Sequence, residues 1–278
     1  MMQENIIKEL EKKAHELKQS TLNLCIGACT GHVTSSMSCA EILAVLYYGN
    51  ILRQKPGNPK WDGRDRFILS KGQGSPILYV TLADKGFFPK EWLNDFCKEN
   101  AKFGVHLQCD VPGVEITTGS LGHGLGVGAG MALAAKMDRK DHFVFVLLGD
   151  AELYEGSNWE AAMFAGHNRL NNLIAIIDRN WLGVIEYTER ALSLEPLEDK
   201  WRSFGWEVKR VNGNSVKELL NALYDFRSFR FTKPLVIIAD TIKGKGICSM
   251  EHFPLMHGAA PRGEAAEKAK QELSECFF

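Results

Sequence analysis

Two short polar segments, each at the end of an apolar run, carry the first chemical signal in this chain. Gly149-Asp150-Ala151-Glu152 closes the run Phe143-Val144-Phe145-Val146-Leu147-Leu148, and Asp178-Arg179-Asn180 closes Leu173-Ile174-Ala175-Ile176-Ile177. Asp150 and Asn180 stand 30 positions apart with a helix-like stretch between them. That spacing brings a carboxylate and an amide oxygen together at the C-terminal edges of two parallel strands, where open α/β sheets bind ligands. Hard oxygen donors placed there suit Mg²⁺ or Ca²⁺ holding a diphosphate.

Other polar clusters widen the signal. Glycine and histidine gather in Thr30-Gly31-His32, Ser70-Lys71-Gly72-Gln73-Gly74, Thr117-Thr118-Gly119-Ser120-Leu121-Gly122-His123-Gly124 and His257-Gly258, with His106 in a loop of its own. Glycine lets backbone N–H groups approach an anion, and helix N-termini favour phosphate. Histidine moves protons near neutral pH. An isolated Asp at a strand end more often caps a helix or sits in a solvated turn; the ordered glycine loops around Asp150 and Asn180 tip the balance toward a cofactor. His15 and His142 read as surface residues, His167 as a structural helix residue, and Trp159, Phe164 and Phe204 as packing.

The elements that must position these groups follow from periodicity. Ile6–Leu24 reads as an amphipathic helix. Ser38-Cys39-Ala40-Glu41 fits a capping box opening a helix over Ala40–Tyr48. A short buried strand at Arg66–Ser70 precedes a helix at Ser75–Lys85 and another at Trp92–Lys98. Gly122–Met137 reads as a helix so rich in Gly and Ala that it must pack very closely against something. Strand and helix then alternate: strand 143–148, helix 158–170, strand 173–178, helix 197–204, strand 206–211, helix 215–229, strand 235–240 and a charged helix 264–275. Alternation with continuous apolar strands indicates an α/β fold, a doubly wound, mostly parallel sheet with helices on both faces. No repeat or linker divides the chain, so residues 1–278 read as one domain.

Composition sets outer bounds. The 278 residues are 45% hydrophobic, and 33 Lys and Arg nearly balance 34 Asp and Glu. This argues against a nucleic-acid or membrane-surface role built on bulk charge. No apolar stretch approaches the roughly 20 residues of a membrane span, and the N-terminus lacks a signal-peptide pattern, so a cytoplasmic location is expected. The seven scattered cysteines have no Cys-x-x-Cys pair and read as buried free thiols.

Over essentially its whole length the chain resembles the N-terminal, diphosphate-binding part of transketolase. The segments that carry the resemblance are Cys29-Thr30-Gly31-His32, Arg64 through Gly72, Pro112 through Gly122, Gly149-Asp150 through Glu160-Ala161, Asn172-Leu173-Ile174 to Asn180, and Met256-His257-Gly258-Ala259, in that order. The resemblance implies the thiamine diphosphate-binding fold, with thiamine diphosphate and Mg²⁺ (Ca²⁺ or Mn²⁺ substituting) as cofactors. It implies metal ligation by Asp150, Asn180 and the carbonyl of Leu182. Gly149, Ala151 and Asn180 would meet the diphosphate, Gly119, Ser120 and Leu121 would wall the cofactor rings, and Gln73 would lie nearby. His32, His106 and His257 would face the sugar hydroxyls and the reacting centre, His257 also reaching the diphosphate. Glu155 resembles a carboxylate that links two cofactor sites across a dimer interface. The implied reaction transfers a two-carbon ketol unit from a ketose to an aldose, free or phosphorylated, with the cofactor as electron sink.

Three departures from the family pattern stand out. Ala151 replaces the second Gly of Gly-Asp-Gly, which is tolerated at negative φ and costs about 1 kcal/mol at positive φ, with weaker cofactor binding expected at most. Gln73 replaces His in Ser-Lys-Gly-His, and His123 replaces Gln in Leu-Gly-Gln-Gly; these read either as an exchange of an imidazole and an amide within one pocket that shifts the sugar preference, or as two independent changes. The pyrimidine-binding and C-terminal parts of transketolase have no counterpart in this sequence. A partner chain would supply the pyrimidine domain and its catalytic Glu, giving a split enzyme, with two copies of each chain expected. The alternatives are another thiamine diphosphate enzyme subunit, such as a 1-deoxyxylulose-5-phosphate synthase or 2-oxo acid dehydrogenase component, and a non-catalytic cofactor-binding or scaffold subunit.

Overall fold

Four runs of apolar residues and one half-polar run become five parallel strands. In a computed structural model that describes residues 2–224, 226 and 232–276, the elements run in chain order as follows. Helices α1 (Met2–Ala28), α2 (Val33–Met37) and α3 (Ala40–Tyr48) precede strand β1 (Arg66–Leu69) and helix α4 (Ser75–Asp84). Helix α5 (Gly124–Met137), β2 (Val144–Gly149), α6 (Gly156–His167) and β3 (Leu173–Arg179) follow. The last elements are α7 (Thr188–Ala191), α8 (Leu197–Ser203), β4 (Glu207–Asn212), α9 (Val216–Leu223), β5 (Leu235–Asp240) and α10 (Glu264–Glu275).

The sheet order is β1-β2-β3-β5-β4, and every neighbouring pair is parallel. Because successive strand residues point to opposite faces, each apolar strand feeds two cores at once. Phe67, Phe145, Ile174, Ile176 and Ile237 join α1, α3, α4 and α9 on one face. Ile68, Val146, Ala175, Ile177 and Ile238 join α5, α6 and α8 on the other. The doubly wound expectation therefore holds. A third cluster, around Leu22, Met37, Ile247 and Leu273, clamps α10 to α1 and α2.

The glycine-rich α5 does pack as closely as its composition suggests. A side chain at Gly128 would come 2.5 Å from Val146 Cγ2, whereas Gly130 faces open space. The inner glycines let α5 lie against the sheet; the outer ones leave its far face thin.

Several boundaries differ from the sequence reading. Helix α1 is longer at both ends than the Ile6–Leu24 pattern, and α2 was not foreseen. The stretch near Trp92–Lys98 forms a 3₁₀ turn over Lys90–Asp95 instead of an α-helix. The capping box at Ser38 does not form: Cys39 is the N-cap of α3 without a side-chain bond, and Ser38 Oγ instead donates to Asp178 Oδ2 at 2.6 Å. A tertiary carboxylate outcompeted the local backbone for that hydroxyl. Helix α9 begins one residue inside the expected range, with Ser215 as its cap. The end of that expected range, toward residue 229, lies outside the described residues.

Some residue assignments are corrected as well. His142 is buried, not on the surface. Phe164 is exposed, not packing. Only Cys25 and Cys39 are buried thiols; Cys29, Cys109, Cys248 and Cys276 are exposed. No helix among the described residues is long and apolar enough to cross a membrane.

Candidate functional site

Four strand ends converge on one cleft. Lys71 follows β1, Asp150 follows β2, Asn180 follows β3 and Lys243 follows β5. All four line the cleft, together with Gln73, Leu121, Gly149, Ala151 and His257. The register explains the meeting: Gly149 pairs with Asp178 and Arg179 with Asp240, so the segments beyond the strands leave the sheet at the same level. This is the carboxyl edge at which such sheets bind ligands.

The floor of the cleft is a lattice of buried charge. Asp178 accepts from Ser38 Oγ, from Thr241 Oγ1 and from the Lys71 ammonium. Lys71 also donates to the Ser35 carbonyl at 2.8 Å. Burial opposes the charge on Lys71, but Asp178 outweighs it and holds the pKa above its ordinary value. Asp150 accepts from the Ala151 amide at 2.8 Å, the Trp181 amide at 2.6 Å and Arg179 Nη1 at 3.2 Å. Burial pushes its pKa up to about 6 against the pull of Arg179. Lys243 donates to the carbonyls of Leu182 and Gly183 at 3.3 and 2.8 Å. Burial drives its pKa down to about 8, opposed by Asp150.

Glu152 ties three loops together beneath this lattice. Its carboxylate accepts from Ser70 Oγ, from the Gly122 amide at 3.0 Å and from the Gly149 amide at 2.9 Å. One buried side chain thus fixes the ends of β1 and β2 against the turn that opens α5. Burial raises its pKa, with Ser70 and the two amides opposing.

On another side the cleft is lined by His257, behind which two further imidazoles cluster. His32 occupies the N-cap position of α2 without a side-chain capping bond, and its ring lies 5.9 Å from that of His106 and 5.2 Å from that of His257, centre to centre. Three separate loops therefore bring the three histidines together. His106 is seated on Gly119, where an added side chain would come 3.1 Å from the ring. Gly119 has a φ of +145°, a conformation that favours glycine. Burial lowers His32 to about 4 and His257 to about 3, with neighbouring imidazole and ammonium groups adding to the effect. The Nδ1 atoms of both rings are buried without a hydrogen-bond partner.

The remaining expected residues fall in three places. Gln73 and Leu121 line the cleft. Ser120 is exposed beside it. Glu155 is exposed at the N-cap of α6, beside Gly122 and Ser157, and does not line the cleft. His123 is also exposed and borders a groove between α5 and α6, with Val127, Met163 and Phe164. Gln73 and His123 thus do not share a pocket within this chain, contrary to the reading of a paired exchange. Ala151 opens a 3₁₀ turn and is absent from the positive-φ positions, so alanine is unstrained there.

The donor set fits a divalent cation carrying a diphosphate. Among the described residues no group of three His, Cys, Asp or Glu could hold a metal ion. Asp150, the Asn180 amide oxygen and the Leu182 carbonyl instead offer hard oxygens, with one formal negative charge, at a single edge. That composition suits Mg²⁺ shared with phosphate oxygens. Lys243, now on the Leu182 and Gly183 carbonyls, would supply positive charge for a diphosphate, and the orphaned Nδ1 atoms of His32 and His257 are polar groups a ligand would satisfy. Lys243, Glu152 and Arg179 were missed as site residues. The first could have been found by the rule that found Asp150, since Lys243-Gly244-Lys245-Gly246 also follows a strand end.

Comparison with known proteins agrees with this geometry. Residues 13–275 match the family model described as transketolase, thiamine diphosphate binding domain. One of the subunits of the apulose-4-phosphate transketolase from Phocaeicola vulgatus is 41% identical over 271 residues, 97% of this chain and 95% of that protein. A 6-deoxy-6-sulfo-D-fructose transketolase subunit from a Clostridium species is 40% identical over 96% of this chain and 97% of its own length. The crystal structure of Campylobacter jejuni transketolase superimposes with a TM-score of 0.87 at 33% identity, over 97% of this chain but 43% of that one.

Proposed function

The chain belongs to the transketolase family, as its thiamine diphosphate-binding part, and from that premise we propose that it is the cofactor-holding subunit of a two-chain transketolase. It is a transferase subunit that acts with a partner chain. In this reading the whole chain is one diphosphate-binding domain. The two subunits named above align over 95% and 97% of their own lengths, whereas the Campylobacter jejuni transketolase is covered over 43%. The observation that supports the proposal is the cleft itself, lined by Asp150, Asn180 and Leu182 at the strand ends and by His257, which packs edge-on against His32.

Asp150, Asn180 and the Leu182 carbonyl would hold Mg²⁺, and Lys243 would neutralise the diphosphate. When bound, thiamine diphosphate supplies the electron sink that lets a carbon–carbon bond next to a carbonyl break. The chain's own part is to orient the sugar and exclude competing contacts. With pKa values of about 4 and about 3, His32 and His257 are neutral at pH 7. A neutral imidazole both donates and accepts, so it can hold a hydroxyl in either sense. A base so weak is poorly matched to proton abstraction at neutral pH, which makes positioning the main role of these two rings.

The partner would supply the pyrimidine-binding part and the catalytic carboxylate. We read the outer face of α5 and α6 as its seat. There Val127, Met163 and Phe164 are 39%, 56% and 44% exposed, and Glu155 stands at the same end. Two copies of each chain would then assemble. The donor is read as a ketose with an anionic tail, phosphate or sulfonate, from the substrates in the relatives' names. The exposed free thiols fit a reducing, cytoplasmic compartment.

The test is co-expression with a chain carrying the pyrimidine-binding part. Ketol transfer would be assayed with and without thiamine diphosphate and Mg²⁺, using xylulose 5-phosphate, apulose 4-phosphate and 6-deoxy-6-sulfofructose as donors. Transfer only with both chains and both cofactors is expected. A complex that binds no thiamine diphosphate would refute the proposal.

A further inference from the structure

Arg179 is an unusual neighbour for a metal ligand. It is the last residue of β3, its side chain is wholly buried, and it stands between Asp178 and Asn180 in sequence. Its Nη1 donates to Asp150 Oδ2 at 3.2 Å and to Thr188 Oγ1 at 2.6 Å. Its Nη2 donates to Glu189 Oε1 at 2.6 Å and to Glu195 Oε1 at 3.4 Å. The guanidinium carbon lies 3.7 Å from the ring centre of Trp181.

Trp181 itself has a φ of +67°, in a region that bulky side chains seldom occupy. Its amide donates to the same Asp150 oxygen at 2.6 Å, and its carbonyl accepts from the Thr188 amide at 2.9 Å. The left-handed turn at Trp181 therefore aims Leu182, whose carbonyl is one of the candidate metal donors, while Arg179 covers the indole.

We propose that Arg179 is a positioning residue. Its guanidinium binds the Asp150 carboxylate to the segment 181–195, and so holds Asp150 and the Leu182 carbonyl at the spacing a metal–diphosphate requires. This rests on the reading of the cleft as a thiamine diphosphate site. An arginine beside a cation ligand would by itself repel the cation. Here Glu189 and Glu195 offset the guanidinium charge, and Arg210 shares Glu195 at 3.2 Å and Asp240 at 2.7 Å. Losing Arg179 would leave the Asp150 and Glu189 carboxylates without their shared guanidinium across a loosened segment, which outweighs any relief of repulsion. A lysine cannot replace the fork, because one ammonium cannot reach a carboxylate, a hydroxyl and an indole face in fixed directions.

The experiment compares wild type, Arg179→Met, Arg179→Lys and the segment-side variant Glu189→Gln, each as the full chain in complex with the co-expressed partner. Amide exchange is followed at residues 181–194 without ligand. Binding of Mn²⁺ is followed by electron paramagnetic resonance in the presence of thiamine diphosphate. In Arg179→Met, exchange across 181–194 should rise about tenfold while the β2 and β3 amides hold, and Mn²⁺ affinity should fall roughly 10- to 100-fold, the usual size for a group that orients a ligand. Arg179→Lys should recover part of the affinity, and Glu189→Gln should shift exchange in the same segment with a smaller loss. Unchanged exchange at 181–194, a uniform rise across the chain, or unchanged Mn²⁺ affinity would each overturn the proposal. If wild type binds no Mn²⁺ with thiamine diphosphate, the cofactor reading fails, and the ligand-free exchange still decides the role of Arg179.

Discussion

The two walls of the cleft are built on opposite principles. On the strand-end wall every charge has a partner: Asp178 with Lys71, Asp150 with Arg179, Lys243 with two carbonyls. On the loop wall His32 stands between His106 and His257, and His32 and His257 each keep a buried nitrogen without a partner. Buried ions must be paired or they are prohibitively costly, so the first wall is completed by the chain itself. A neutral ring nitrogen costs far less to leave unpaired, so the second wall can hold its hydrogen-bonding capacity for a ligand. In the proposed reading one wall is architecture that would also bind, and the other is kept for recognition.

Substitutions that break the ionic wall should therefore have the largest effects. Lys71→Met would strand the Asp178 carboxylate with only the Ser38 and Thr241 hydroxyls, and should destabilise the chain by about 3 kcal/mol in urea denaturation. Adding Asp178→Asn should restore much of that loss; no restoration would mean that Lys71 acts through packing and not through its charge. Next comes Asp150→Asn, which should weaken thiamine diphosphate–Mg²⁺ binding roughly a hundredfold by calorimetry. His32→Asn and His257→Asn should leave cofactor affinity within a few-fold and lower turnover instead. If the histidine variants lost cofactor as severely as Asp150→Asn, the division between the walls would collapse.

The same contrast explains what could be read from the sequence. Asp150, Asn180 and Lys71 follow apolar strands, and strand periodicity places them at one edge without further information. The parallel sheet and its two cores were equally accessible, because β2 and β3 are apolar on both faces. The histidine cluster was not derivable from period or spacing, since His32, His106 and His257 sit on loops distant in sequence; only the family resemblance suggested their association. Ser38 misled because a local cap and a tertiary carboxylate compete for one hydroxyl, and spacing sees only the first. Arg179 and Glu152 were missed for a related reason: their bonds run to separate loops, and nothing in a single segment announces them.

The imidazole wall can be tested through pH. His32 and His257 titrate at about 4 and about 3 in the fold, against an ordinary value of 6.5. Below pH 6.5 the unfolded chain takes up protons that the folded chain refuses. The contribution of these rings to stability is thus present above pH 6.5 and lost as pH falls toward 4. Asp150 and Glu115, pushed up by burial to about 6 and about 7, act in the opposite sense and mask the effect in wild type alone. The difference between wild type and His32→Gln/His257→Gln isolates it. Between pH 7 and pH 5 the double variant should gain stability relative to wild type in urea titrations. A pH-independent gap would mean that the two rings charge in the fold as they do in the open chain.

A smaller effect separates Gln73 from His123. Gln73 lines the cleft, whereas His123 borders the α5–α6 groove. In the reconstituted pair, Gln73→His alone should shift donor preference, and His123→Gln should leave it unchanged while altering partner affinity. A preference that moved only in the double variant would restore the paired exchange that the fold separates.

The smallest expected effect lies at Ala151, where the family pattern has glycine. The need for glycine depends on φ alone, and here the backbone enters a 3₁₀ turn at negative φ. Its methyl faces Gly183, where an added side chain would lie 3.9 Å away, an ordinary packing distance. Ala151→Gly therefore removes no strain and adds freedom to the unfolded chain, which should cost about 0.5–1 kcal/mol. Cofactor affinity should stay the same, because the amide that donates to Asp150 belongs to the backbone of either residue. Tighter binding in Ala151→Gly would show that the methyl obstructs the diphosphate, and would move this position from the ionic wall's architecture to its recognition surface.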